Sequence, residues 1–153
     1  MKVPKDSATS RVVHATRVTV RFPALLEYRP LAIDLVSALI LHVAGANRDF
    51  RNEMVTAFGE AFNNIVIHGY RGRSDGMLDV EAEMAPDQFK LSLFDTGLEV
   101  DFAKVAPPDL TSMPESGMGI FLIYALVDEV VYRGGSPNVL SLMKRTTSSE
   151  DPR

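Results

Sequence analysis

Over residues 16–22, Val18, Val20 and Phe22 alternate with Arg17, Thr19 and Arg21, and this period of two predicts a half-buried strand with a basic outer face. Past Pro23 and Pro30 the period changes. Leu31, Leu35, Leu39 and Val43 recur at helical spacing, predicting a helix that Gly45 caps. A second helix is expected from an N-cap at Asp49 to about His68. Its apolar arc holds Met54, Val55, Phe58, Ala61, Phe62, Ile65 and Val66, with Glu60 and Asn64 together on the border. Gly69 and Arg71-Gly72 break it. Residues 78–84 and 89–94 alternate again, and Ala85-Pro86-Asp87-Gln88 joins them into a hairpin. From 101 to 116 no period survives and Pro107, Pro108 and Pro114 intervene, so a loop or lid is expected there. A short helix over 119–126 and two strands over 127–132 and 139–143, around Gly134-Gly135-Ser136-Pro137, complete the pattern.

The order strand, two helices, hairpin, lid, helix, hairpin predicts an α+β fold. Helices packed on one face of a mixed, mostly antiparallel sheet make a two-layer α/β sandwich. One domain is expected over 14–145, with flexible polar ends at 1–13 and 146–153. A chain of 153 residues is long enough for a real core, and 46% hydrophobic against 24% charged residues is the balance of a soluble domain. The net charge of −4 argues against general nucleic-acid binding, which favours a basic surface. With no cysteine, disulfides and thiolate metal sites are excluded. The polar start lacks the apolar core of a signal peptide, and the longest apolar stretch, 31–46, is interrupted by Asp34, Ser37 and His42. A cytoplasmic protein without a membrane partner is expected.

Three local patterns carry candidate chemistry. In the run from Glu60 to Tyr70 (EAFNNIVIHGY), Glu60 and Asn64 stand four apart and project from one side of a helix. A carboxylate can take a proton from an attacking hydroxyl, and an amide oxygen can bind a hard cation such as Mg²⁺. The same pair also suits the solvent edge of an amphipathic helix. Phe94-Asp95-Thr96-Gly97 ends an apolar strand. Its Asp can accept from the exocyclic amine of adenine beside a Gly that lets backbone approach, or it forms an ordinary turn. Ser116-Gly117-Met118-Gly119-Ile120 runs straight into a helix, where free amides form an anion site suited to phosphates, or else serves as a linker. It is neither a Walker A loop nor a dinucleotide fingerprint.

Taken in order, Glu-x-x-x-Asn on a helix, Asp-x-Gly after a hairpin and Gly-x-Gly opening a helix resemble the N, G1 and G2 boxes of the GHKL ATPases. The His-Gly-Tyr ending, and Val127-Asp128-Glu129-Val130 after the glycines, resemble the anti-sigma-factor serine protein kinases (RsbW type) over roughly residues 16–144. The resemblance implies a Bergerat-type fold binding ATP and Mg²⁺. It makes Glu60 the general base and Asn64 the Mg²⁺ ligand, while Asp95 with Gly97 reads adenine and Gly117, Met118 and Gly119 cradle phosphates. The activity implied is a serine/threonine protein kinase of partner-switching signalling. Its substrate would be a STAS-domain anti-anti-sigma protein, its second partner a sequestered sigma factor, and its relatives form homodimers. The alternative is a non-catalytic module that uses ATP only to gate partner binding.

The chain departs from the family at several points. Leu98-Glu99 stands where a second glycine would often follow Asp-x-Gly, placing an acid near the nucleotide. Pro114-Glu115 stands where relatives carry a basic residue, and Asn138 or Val139 stands in for a threonine. His14, His42 and His68 are too scattered to hold a metal. Arg71 and Arg73 are expected in a solvated turn, and Arg17 and Arg21 on a solvated face or a dimer edge.

Overall fold

The computed structural model describes residues 15–100, 102 and 117–146. The expected polar ends and the expected lid at 101–116 fall outside these residues, apart from Thr146 and Phe102. In chain order the elements are β1 (Thr16–Pro23), α1 (Arg29–Ile40), α2 (Arg48–Asn64), β2 (Met77–Ala85), β3 (Gln88–Asp95), α3 (Met118–Leu126), β4 (Glu129–Arg133) and β5 (Asn138–Arg145). The five strands form one sheet in the order β1-β2-β3-β5-β4, and every pairing is antiparallel.

Strand periodicity sorts the sheet into two faces. Leu78, Val80, Ala82 and Met84 of β2 and Phe89, Leu91 and Leu93 of β3 are buried, as are Leu140 and Leu142 of β5. They form one core with Met54, Phe58, Phe62 and Ile65 from the α2 region and Ile123 of α3. The helices therefore cover one face and leave the other open, giving the expected two-layer α+β sandwich. On the open face, Arg17 reaches Glu81 and Glu83, and Arg21 clasps Asp79 with bonds of 2.6 and 3.0 Å. The basic side of β1 is thus matched by acids on β2, Glu83 opposite Arg17 and Asp79 opposite Arg21, although pairs this exposed to water add little to stability.

The first helix turns a different face inward from the one expected. Ala32, Val36 and Ile40 are buried, Leu35 and Leu39 lie half-buried at the side, and Leu31 is 58% exposed. Residues 31–40 hold only Asp34 and Ser37 as polar positions, so the apolar pattern runs almost all round and cannot choose a face. The helix also stops at Ile40, before Gly45. Leu41, His42 and Val43 donate to Ala38, Leu39 and Ile40, tightening the chain before Gly45 turns it at φ +79°. The second helix is capped by Asn47, whose side chain accepts from Phe50 N–H at 2.8 Å, and Asp49 lies inside the first turn.

After Asn64 the helix widens. Residues Ile65–Gly69 form a π turn in which Tyr70 N–H donates to Ile65 O at 3.0 Å. Tyr70 is 2% exposed, and its hydroxyl donates to Met77 O and accepts from Thr96 N–H at 3.0 Å. It thereby ties the loop leading to β2 to the end of β3. Arg73 pairs with Asp75 at the surface of that loop.

Because Asn47 holds the cap, Asn47→Ala is expected to lower stability by about 1 kcal/mol. Asp49→Ala, which loses only a first-turn dipole contact, should cost a few tenths. Urea denaturation of the two variants checks this, and an equal or larger loss at Asp49 would overturn the assignment.

Candidate nucleotide site

The period of two that builds the core also delivers Asp95. It follows Phe89, Leu91 and Leu93 on the inward side of β3, so its carboxylate lies on the helix-covered face and is 4% exposed. Directly across the ladder, Asn138 opens β5 on the same face and is fully buried. Asp95 Oδ1 accepts from Asn138 Nδ2 at 3.0 Å and from Gly97 N–H at 2.9 Å. Burial pushes the carboxyl above its ordinary 3.8, and those two donors oppose the rise.

Gly97 then passes against the end of the π turn. A Cβ on Gly97 would stand 2.7 Å from Gly69 O and 2.8 Å from Gly69 C, and Leu98 N–H donates to Gly69 O at 2.8 Å. The glycine after the strand is needed for backbone to cross backbone, a closer constraint than the expected approach to a base. Gly76 meets a similar limit, since a Cβ there would touch the Tyr70 ring at 2.5 Å. Glu99 does not point freely outward, because its carboxylate packs against Gly134 in the β4–β5 turn. Val100 N–H donates to Tyr132 Oη at 3.0 Å, and Phe102 lies on the same ring with centroids 5.0 Å apart. The chain beyond Asp95 is thus pinned to β4 before it leaves the described residues.

The third pattern meets the first. Gly117 takes φ +82° at the start of α3, a left-handed conformation that favours glycine, and the amides of Met118 and Gly119 fall in the first turn, where helix N–H groups have no intrahelical partner. That turn rests on α2. The place of a Cβ on Gly119 lies 2.7 Å from Glu60 Oε2 and 3.8 Å from Asn64 Nδ2. The Glu60 carboxylate therefore sits near the positive end of α3. Asn64 Nδ2 is buried without a hydrogen-bond partner among the described residues, an unusual and costly state for an amide N–H.

Five of the seven residues singled out in the sequence thus form two clusters. Glu60 and Asn64 gather at Gly119, and Asp95 and Gly97 gather at Gly69, the two joined by α2 and its π turn. Gly117 stands at the head of α3 beside Met118, and a Cβ on it would meet no atom of the described residues within 4 Å. His68 is exposed at the end of the π turn. Among the described residues no group of three or more His, Asp or Glu could hold a metal by itself. Sequence reasoning missed Tyr70 as the pin of the site and saw Asn138 only as a stand-in for threonine. Counting inward parity from Asp95 across the last hairpin is the signal that would have found Asn138.

The antiparallel sheet, the helix layer and these converging clusters define a Bergerat-type ATPase domain, as the resemblance implied. The profile of the histidine kinase-like ATPase domain matches residues 22–144, and the chain belongs to this family. An anti-sigma F factor of Clostridium beijerinckii is 32% identical over 116 residues, covering 73% of this chain and 80% of the relative. A serine-protein kinase RsbW of Staphylococcus aureus is 32% identical over 146 residues, covering 89% of this chain and 90% of the relative. Another RsbW from that species is 31% identical over 136 residues, covering 83% and 85%.

Two outcomes follow from this geometry. Gly97→Ala forces a methyl into the Gly69 backbone and is expected to lower stability by about 1–3 kcal/mol in thermal unfolding. A carboxyl with a raised native pKa lends stability below 3.8 that disappears as pH rises through the raised value. Asp95→Asn keeps both acceptor contacts and has no such loss. The variant should therefore exceed the wild type in urea stability at neutral pH, with the gap closing on acidification. A wild type that stayed the more stable at neutral pH would contradict the burial account.

Proposed function

We propose that this chain is an ATP-dependent serine/threonine protein kinase of partner-switching regulation, acting in the cytoplasm on a STAS-domain anti-anti-sigma protein and sequestering a sigma factor. The observation that carries the reading is the meeting of Glu60 and Asn64 with the first turn of α3 at Gly119. A base, an amide and a set of unpaired helix amides at one place suit phosphoryl transfer. In that chemistry, positioning and charge neutralisation do most of the work. The names of the relatives, serine-protein kinase and anti-sigma factor, support serine phosphorylation and a sigma-factor partner.

In this reading Asp95 accepts from the adenine amine, with its Oδ1 already held by Asn138 and Gly97. Gly117, Met118 and Gly119 hold phosphate oxygens through the amides that open α3. Glu60 takes the proton of the substrate hydroxyl as that oxygen attacks the γ-phosphorus, and ADP leaves. Asn64 would hold Mg²⁺ through its amide oxygen, while its buried Nδ2, which has no partner among the described residues, is a donor suited to a phosphate oxygen of the same nucleotide. Mg²⁺ commonly takes one or two protein ligands and completes its shell with phosphates and water, which agrees with the lack of a self-sufficient metal cluster among the described residues. When bound it would neutralise phosphate charge.

No helix among the described residues is long and apolar enough to cross a membrane. The outer edge of β1 pairs with no described strand, and we assign that edge to a homodimer. The Arg17 and Arg21 side chains are occupied by β2 acids, so such pairing would rest on backbone hydrogen bonds.

Incubation with Mg²⁺, γ-labelled ATP and a STAS protein is expected to label the STAS protein. Glu60→Ala should cut the transfer rate by roughly 10²–10⁴-fold while ATP still binds. Binding without transfer to any STAS candidate would favour the nucleotide-gated module, and no ATP binding at all would end the proposal.

A further inference from the structure

We infer that Asn138 is a positioning residue for base recognition, holding one oxygen of Asp95 so that the other is presented to an exocyclic amine of the purine. The inference rests on the reading of Asp95 as the base-binding carboxylate and goes beyond it, since Asn138 does not itself touch the base.

The hydrogen bonds of Asn138 leave little freedom. Nδ2 spends one hydrogen on Asp95 Oδ1 at 3.0 Å and the other on Gly97 O at 2.9 Å, while Oδ1 accepts from Gly135 N–H at 2.9 Å. Rotating the amide by half a turn would set its oxygen against a carboxylate and a carbonyl, so the amide has one workable orientation. The side chain is fully buried and joins three segments: the end of β3, the glycine that follows it and the β4–β5 turn. Both hydrogen bonds to Asp95 fall on Oδ1, and Oδ2 has none among the described residues. The carboxylate is therefore fixed in rotation about its last bond, with one acceptor consumed and the other available.

A threonine or other short side chain could supply one donor to Asp95, but not the simultaneous bonds to Gly97 O and Gly135 N–H. The amide thus couples the orientation of the carboxylate to the backbone on both sides of the site. An orienting group of this kind affects one class of ligand contact more than others. It should matter for the base edge that donates to Asp95 and much less for the phosphates, which the reading places at α3.

The test is calorimetric titration of wild type, Asn138→Leu, Asn138→Thr and Asn138→Asp with ATP and with a purine ribonucleoside triphosphate lacking the 6-amine, with thermal unfolding in parallel. Wild type is expected to prefer ATP by about tenfold or more, the scale of a hydrogen bond to a charged group. Asn138→Leu should bring the ratio close to one, mainly by weakening ATP, and Asn138→Thr should keep part of the preference. In Asn138→Asp two carboxyls face each other. One must stay protonated to donate to Asp95, so ATP affinity should fall as pH rises while that of wild type stays level. If Asn138→Leu does not fold, the other two variants decide. An unchanged ratio in Asn138→Leu or Asn138→Thr, or a level pH profile in Asn138→Asp, would overturn the inference while the Asp95 reading stands. Equal loss of both ligands would make Asn138 merely structural. A wild type that binds ATP without preferring the amine would sink the Asp95 reading, and this inference with it.

Discussion

Where the helix layer meets the end of the sheet, two stretches of backbone cross with no side chain between them. Gly97 lies against Gly69, and Leu98 N–H donates to the Gly69 carbonyl at 2.8 Å. That carbonyl is available because the π turn over Ile65–Gly69 ends the helix there. The crossing fixes the end of α2 relative to the end of β3. Since α2 carries Glu60 and Asn64 and β3 carries Asp95, it also fixes the distance between the two halves of the site. A side chain at Gly97 would have to part the layers, because its Cβ would stand 2.7 Å from the Gly69 carbonyl oxygen.

The remaining contacts around the site extend that junction. Tyr70 follows the π turn and bonds on one side to Met77 at the start of β2 and on the other to Thr96. Asn138 reaches from β5 to the carboxylate and to the backbone just beyond it. Tyr132 on β4 receives the chain at Val100. Each is a buried or half-buried polar group whose partners are all within the protein, so together they form a rigid frame around an otherwise open place. Two sets of donors stand apart: Asn64 Nδ2, which lacks a partner among the described residues, and the first-turn amides of α3, which have none inside the helix. Unsatisfied polar groups gathered at one spot, on a frame otherwise satisfied, are what a charged ligand would complete.

The cost of the site is visible in its electrostatics. Asp95 is buried on the apolar face of the sheet, and its carboxyl is raised above the ordinary value even with two donors upon it. A neutral residue would serve the fold better at that place. Its retention in an inward position at the end of a fully apolar strand face fits a residue held for recognition rather than for packing. The pairs on the open face, Arg17 with Glu81 and Glu83 and Arg21 with Asp79, show the contrary case: charges kept where water already carries most of their solvation.

The sequence alone settled the elements and the family. Alternation in 16–22, 78–84 and 89–94 identified the strands and their inward faces, because a period of two is a local property of an extended chain. The three glycine- and acid-bearing patterns, in their order, were enough to place the chain among the ATPases that the profile then matched. Other features were decided only by tertiary structure. The buried face of α1 was one, because a helix apolar nearly all round takes its orientation from what it packs against. The cap at Asn47 rather than Asp49 was another, because both residues can cap and only the path of the chain selects between them. The Gly69–Gly97 crossing and the bond from Asn138 to Asp95 join residues far apart in the chain, and no local pattern records which strand will lie beside which. The sequence names residues able to do chemistry, whereas the sheet order and the crossing of two glycines determine which of them share a site.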